Sequence, residues 1–230
     1  MNKNVAIVHY NTPELTEAAI RSLWKNTPDA AVTVFDNSDR RRFRAIDGVR
    51  ILDNTTGRLV DFGAMLGRYP DKIPTACNWG SEKHIASVDR LFDVFPDGFV
   101  LLDSDVLLKR DITPFFDPSV AWVGAVEYKP KFWFQAVRCY PFILWLNVPM
   151  LRKSGIRFFH PGKVYKMSHQ GPPYYDTGGS LYEDCGNAGL PVRETDIYDY
   201  IEHFGGASYA NVPAAERAAL WLKEHRNLYE

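Results

Sequence analysis

The chain is expected to adopt an α/β fold, a mostly parallel central sheet flanked by helices and closed by a C-terminal helix. Three observations predict it. Short apolar runs alternate with segments of helical period in the order strand, helix, strand, loop, strand over the first 54 residues, the order of a parallel sheet with right-handed crossovers. Each run ends in polar residues, as at Tyr10-Asn11, Asp36-Asn37, Asp53-Asn54 and Asp103-Ser104-Asp105. The chain also closes on an amphipathic stretch over 213–228. Ligands of such sheets sit beyond the carboxyl ends of the strands, so those polar ends are candidates for one shared pocket.

The elements follow in order. Val5-Ala6-Ile7-Val8-His9-Tyr10 is a continuous apolar run and reads as a buried strand. Thr12 is placed to cap the next helix, with Pro13 at its first position. Leu15, Ala18, Ala19, Ile20 and Leu23 then recur at helical spacing. Ala31-Val32-Thr33-Val34-Phe35 and Val49-Arg50-Ile51-Leu52 are the second and third strands. Residues 81–95 form a helix with Ile85, Val88, Leu91 and Phe92 on one face, and it feeds the strand Gly98-Phe99-Val100-Leu101-Leu102. Further strands are expected over 122–126 and 143–148, with a helical turn over 149–154. The stretch 158–175, rich in Gly, Pro, His and aromatics, is a long loop of the kind that carries function. A helix over 177–188 with Asp176 as its cap, a late strand after Leu190-Pro191-Val192-Arg193 and the final helix complete the order. No repeat or linker divides residues 1–230, which read as one domain. About 1–110 and about 111–230 are its two halves.

Composition narrows the function classes. The chain has 46% hydrophobic and 24% charged residues, an ordinary globular balance. A net charge of -1 gives no nucleic-acid surface. Arg40-Arg41-Arg42-Phe43-Arg44 is a local exception, read as a solvated loop or helix face or else as a patch near an anionic ligand. Cys77, Cys139 and Cys185 are odd in number and far apart, without metal-ligand or disulfide spacing. A reducing, cytoplasmic setting fits them. No signal peptide or transmembrane run is expected. The apolar, aromatic stretch 132–151 is suited to a groove or to peripheral contact with the inner face of a membrane.

Asp103-Ser104-Asp105 carries the chemistry. Asp-x-Asp alone is a common turn or cap, but here apolar runs flank it on both sides. Side chains two apart on an extended segment point the same way. Two carboxylates in an apolar setting repel and resist ionisation. A hard divalent cation relieves that cost, and bound phosphates complete its coordination. The tripeptide therefore reads as a metal–diphosphate site.

Four segments, in order, resemble those of the GT-A glycosyltransferases, nearest to the family 2 type. They are Val5-Ala6-Ile7-Val8-His9-Tyr10-Asn11-Thr12, Val34-Phe35-Asp36-Asn37-Ser38, Leu101-Leu102-Asp103-Ser104-Asp105 and His203-Phe204-Gly205-Gly206-Ala207-Ser208. The resemblance implies a nucleotide-sugar donor, most often a UDP-sugar, held with Mn2+ or Mg2+. It implies a glycan or lipid-linked saccharide as acceptor and inversion at the anomeric carbon. It assigns Asp36 to the uracil base, with Tyr10 or Thr12 beside it, and Asp105 to the metal. Asp103 falls to ribose or metal-bound water, with Ser104 between the two. His203 completes the metal shell or meets the diphosphate. Asn54 and His84 join the donor side, with Asn78 and Lys83 as looser candidates.

An inverting transfer needs a carboxylate base. In the family this is the second residue of a Glu-Asp pair at a helix start. Glu183-Asp184 is the literal pair but falls within the expected helix, whereas Asp176 stands at its start, behind Tyr175 in place of Glu. Asp176 is preferred and Asp184 kept as the alternative. Two other functions compete. A sugar-phosphate nucleotidyltransferase would carry a glycine-rich basic loop after the first strand, and His9-Tyr10-Asn11-Thr12-Pro13-Glu14 has no glycine. A non-catalytic nucleotide-sugar-binding protein of the same fold would not need the acidic pair and His203 together.

Overall fold

The structure is a computed structural model that describes residues 2–68, 76–129, 135–164, 173–205 and 212–230. Outside them lie Gly206-Ala207-Ser208 of the late segment, the start of the aromatic stretch (132–134) and part of the long loop (165–172). The side chain of Asn78 is likewise not described.

The first half is built as its apolar runs require. Strand β1 (Asn4–His9) leads through Thr12 and Pro13 into helix α1 (Pro13–Asn26), followed by β2 (Ala31–Asp36) and β3 (Val49–Asp53). Thr12 stands at the cap position but makes no side-chain cap bond; its hydroxyl lies 3.4 Å from that of Ser104. Helix α2 (Phe62–Leu66) is capped by Asp61, whose carboxylate accepts from the Ala64 N–H. Helix α3 (Ala76–Val94) begins before the expected 81, and β4 (Phe99–Asp103) and β5 (Val106–Leu108) follow.

In the second half β6 (Trp122–Gly124) and β7 (Val126–Glu127) replace the single strand expected over 122–126. The break falls where the Tyr140 N–H bonds the Ala125 carbonyl, beside Gly124, where a Cβ would stand 2.8 Å from the Leu144 side chain. Then come β8 (Arg138–Cys139), β9 (Ile143–Leu146), α4 (Val148–Lys153), α5 (Pro161–Val164) and α6 (Gly179–Asn187). Strands β10 (Arg193–Glu194) and β11 (Ile201–His203) and helix α7 (Val212–Glu224) end the order, with a 3-10 turn over Arg226–Leu228.

Asp176 does not cap α6. The cap is Gly178, at φ 85 and packed so that a Cβ would lie 2.2 Å from the Cys139 carbonyl oxygen. Only glycine fits both the left-handed backbone and the approach. Docking the chain onto β8 at Gly178 frees Asp176 to point elsewhere.

The main sheet has the order β10-β6-β9-β4-β1-β2-β3. β1, β2, β3 and β4 run parallel, and β9 is antiparallel to both β4 and β6. Register aligns the strand ends: His9 pairs with Asp36, Asp36 with Asp53, and Val8 with Asp103. Strand β4 is buried on both faces. Phe99 and Leu101 pack with Val88, Leu91 and Phe92 on one side, while Val100 and Leu102 pack with Ile7, Ile20 and Leu23 on the other. This explains its unbroken apolar run; each such side chain contributes about 1.5–3 kcal/mol when buried. Among the described residues no helix is long and apolar enough to cross a membrane.

Candidate active site

Asp103 ends β4, and its N–H bonds the Phe142 carbonyl at 3.1 Å. Ser104 and Asp105 form a turn into β5 rather than continuing the strand. The carboxylates therefore converge through a turn, not through the two-residue alternation of an extended segment. Strand β11 pairs antiparallel with β5 and sets His203 opposite Val106. That register brings His203 across 98 residues of chain to Asp105, Nε2 to Oδ1 at 3.4 Å. One ligand atom each from Asp103, Asp105 and His203 lies within 4.8 Å of the others. The His203 ring also packs on Phe142, with centroids 3.8 Å apart.

The electrostatics follow from this crowding. Burial, then the charge of Asp105, pushes the Asp103 carboxyl up to about 7. Burial pulls His203 down, but its bond to Asp105 and the charges of both carboxylates more than restore it, so its net shift is upward. His84 Nε2 stands 3.5 Å from Asp103 Oδ1. Burial lowers its pKa to about 4 despite Asp176 and Asp105, so it is neutral at pH 7. Two carboxylate oxygens and an imidazole nitrogen form a donor set suited to a divalent cation. The raised proton affinity of Asp103 is what two crowded, buried carboxylates produce, and a cation between them would reverse it.

A pH dependence follows. The folded protein holds a proton on Asp103 between its ordinary value near 4 and about 7, and the unfolded chain does not. Metal-free stability should therefore fall as pH rises through that window. Relative to Asp103→Asn, the wild type should lose on the order of 2 kcal/mol between pH 5 and 8. Melting curves of both proteins in chelator check this, and Mn2+ should remove the difference in slope.

At the β1–β2 end, Asn11 sits in the left-handed region at φ 58. Its side-chain Oδ1 accepts from the Arg40 and Arg41 backbone N–H groups, and its Nδ2 donates to Asp39 at 2.6 Å. The Tyr10 hydroxyl donates to the other Asp39 oxygen. The Asn11 bond, aided by Tyr10 against some burial, holds Asp39 below the usual carboxylate range. Lys83 lies over the Tyr10 ring at 4.8 Å and near the Trp79 and Phe62 rings. Burial lowers its pKa, with Asp39 opposing.

Asp36 and Asn54 are spent on the loops themselves. The Asp36 oxygens accept from the Ser38 and Phe43 N–H groups. Asn54 accepts from the Leu59 and Val60 N–H groups and donates to Asn37 and to the Val60 carbonyl. Each is 3% exposed. Asp39, which sequence reasoning passed over, is the exposed carboxylate here. Its signal was present in the polar run Asp36-Asn37-Ser38-Asp39 after the strand.

The two candidate bases are placed differently. Asp176 Oδ1 accepts from the Ser81 hydroxyl and the Thr177 N–H; Oδ2 accepts from Arg138 Nη1 and from Gln135 Nε2 at 3.2 Å. It is near enough to raise the pKa of both Asp103 and His84. Asp184 lies within α6, where Lys163 bonds it at 2.7 Å and Glu183 at 2.9 Å. Arg138, also missed from sequence, donates to Glu127 at 2.6 Å as well as to Asp176. A lone arginine beside a cysteine gave no pattern; the pairing of β7 with β8, which sets Glu127 opposite Arg138, reveals it.

Solved structures of this architecture exist. The chain is similar to apo mouse xyloside xylosyltransferase 1, with a TM-score of 0.53 at 12% identity, covering 86% of this chain and 86% of that one. It is also similar to an active-site mutant of LgtC, with a TM-score of 0.50 at 13% identity, covering 84% and 73% respectively. No family model and no curated protein matches the sequence. The fold is the GT-A fold of glycosyltransferases.

Proposed function

We propose that this chain is a metal-dependent glycosyltransferase. It moves a sugar from a nucleotide-sugar, with UDP as the leaving nucleotide, to a hydroxyl of a glycan or lipid-linked saccharide. The observation that carries this reading is the convergence of Asp103, Asp105 and His203 at the carboxyl end of a GT-A sheet. Asp105 and His203 are the principal ligands of Mn2+ or Mg2+, with Asp103 beside them. The cation would offset the charge that develops on the departing diphosphate.

The residues divide the donor between them. Tyr10, Asp39 and Lys83 frame the base and ribose end, and Thr12 and Ser104 connect that end to the metal ligands. Asp36 and Asn54 position the two loops from behind. Neutral His84 orients Asp103. On the sugar side, Asp176 takes the proton of the attacking hydroxyl. Ser81 and Gln135, its two neutral side-chain donors, are the partners it can exchange for substrate, while the Arg138 ion pair holds the carboxylate in place.

Asp176→Asn should keep the stabilisation by UDP with Mn2+ and lower turnover of the donor by roughly 10²–10⁴. Asp184→Asn should leave turnover within a few-fold. The reverse result moves the base to Asp184. Nucleotide binding without turnover in the wild type, whatever the acceptor, marks a binding protein instead.

A further inference from the structure

An aspartate side chain is short, so the backbone at Asp176 decides where its carboxylate stands. That backbone is held on both sides. Upstream, the Tyr174 carbonyl accepts from the Ala136 N–H at 2.8 Å, and Tyr174 bridges to Gln135. Downstream, Gly178 docks on Cys139. Between these points the hold passes through a side chain. The Tyr175 ring is 7% exposed and lies against Gly179, where a Cβ would stand 3.4 Å from its Cδ1. Its hydroxyl donates to Glu183 on α6 at 2.5 Å. Lys163 of α5 lies 5.3 Å from the Tyr175 ring centre and bonds both Glu183, at 2.9 Å, and Asp184, at 2.7 Å.

Packing alone does not account for this arrangement. Gly179 and Glu183 are four residues apart and share one face of α6. The Tyr175 ring therefore spans one helical turn, and its hydroxyl ends on the carboxylate one turn on. A phenylalanine would fill the same space but leave the tip of the ring untied. The Glu183 side chain is 40% exposed, and unpaired it would be free to turn to solvent. Lys163, only 16% exposed, fixes it in front of the tyrosine. Asp184 completes the ammonium's shell from the same helix. The adjacent carboxylates of α6 are thus turned to Lys163 and Tyr175, whereas Asp176 faces Ser81, Gln135 and Arg138.

We infer that Tyr175 is a positioning residue for Asp176, acting through its hydroxyl bond to Glu183, and that Lys163 holds the acceptor of that bond in place. The inference rests on the reading of Asp176 as the base of the transfer. Neither Tyr175 nor Glu183 touches the reacting atoms. Their bond sets the ring, the ring sets the backbone one residue before Asp176, and the backbone aims the carboxylate. The effect belongs on the chemical step, where a displacement of about 1 Å can cost about 10²-fold, and not on donor affinity. The Glu183-Asp184 pair then serves to hold the neighbour of the base.

The test is UDP release by the whole chain with Mn2+ from UDP-glucose, UDP-galactose and UDP-N-acetylglucosamine, with water as the acceptor. Water attacks the anomeric carbon, its proton passes to Asp176, and the bond to the departing diphosphate breaks. On the donor that the wild type cleaves fastest, Tyr175→Phe should lower kcat at least about ten-fold and leave KM within about two-fold. Melting curves should show the stabilisation by UDP with Mn2+ unchanged. Glu183→Ala should match Tyr175→Phe, and the double variant should be no slower than either alone, because one bond is lost in all three. Glu183→Gln, whose amide oxygen still accepts from Tyr175, should recover most of the loss. A kcat for Tyr175→Phe within about two-fold of wild type, losses that multiply in the double variant, or no rescue by Glu183→Gln overturns the positioning role and leaves the donor reading intact. UDP binding by the wild type without release from any of the three donors overturns it together with the base. Absence of stabilisation by UDP with Mn2+ overturns the donor reading itself.

Discussion

Arg138→Met should lower stability by roughly 3–5 kcal/mol and reduce turnover to background. Arg138 is 16% exposed at its side chain and spans two partly buried carboxylates, Glu127 at 14% and Asp176 at 21%. Its own pKa is pulled down by burial and raised further by Asp176 and Glu127, so the net shift is upward. It also lowers the pKa of Asp103. Removing it leaves uncompensated carboxylates close to two more at the metal cluster. Breaking a buried pair by deleting one partner is far more costly than the pair is favourable. At about 2–4 °C per kcal/mol for a chain of this size, the melting temperature should fall by about 6–20 °C. Glu127→Gln in the Arg138→Met background should recover part of that loss, because one of the stranded charges is gone. Arg138→Lys should recover less than the conserved charge suggests, since an ammonium cannot fork to two carboxylates in a fixed plane. A variant with unchanged melting would show that the bridge is spectator geometry.

Asp105→Ala should have the opposite signature. In the metal-free protein it should cost little or even stabilise, because the carboxylate that adds to the effect of burial in pushing Asp103 up is removed. His203 then loses the partner that raises its pKa and stays neutral. The penalty should appear only with ligand. At a hundred-fold excess over Kd, Mn2+ with UDP should stabilise the wild type by about 2.7 kcal/mol, or about 5–10 °C. Asp105→Ala should abolish that gain. Stability without ligand and stability with ligand thus move in different directions. A substitution that merely damages the fold lowers both.

The sequence conveyed the sheet more fully than the site. Continuous apolar runs with polar ends marked β1, β2 and β4, because strands buried on both faces leave no room for polar residues until the chain emerges. Strand β3 was legible through Val49-Arg50-Ile51-Leu52, although only half-buried. Elements of two or three residues were illegible. The β7–β8 pair and the break after Gly124 are set by backbone bonds to Tyr140 and by close packing on Leu144, not by periodicity. Asp176 looked like a helix cap because a short acidic residue before a helical pattern usually is one. The left-handed Gly178 moved the helix start and turned Asp176 toward Arg138. Asp103 and Asp105 announced themselves by proximity in sequence. The Asp39–Asn11–Tyr10 and Asp176–Arg138–Glu127 groups join residues up to 49 positions apart through loop closure and strand pairing. No local pattern encodes such groups.

At the centre of the proposed function, Asp103, Asp105 and His203 would hold a divalent cation and so favour the binding of a nucleoside diphosphate. Electron paramagnetic resonance of Mn2+ tests it most directly, since the sharp signal of the aquated ion is lost on binding. Wild-type protein should quench that signal, and UDP should deepen the quenching. Asp105→Ala and His203→Ala should each leave the ion free. Full Mn2+ signal over the wild type with UDP present, or equal quenching by Asp105→Ala, would contradict the account.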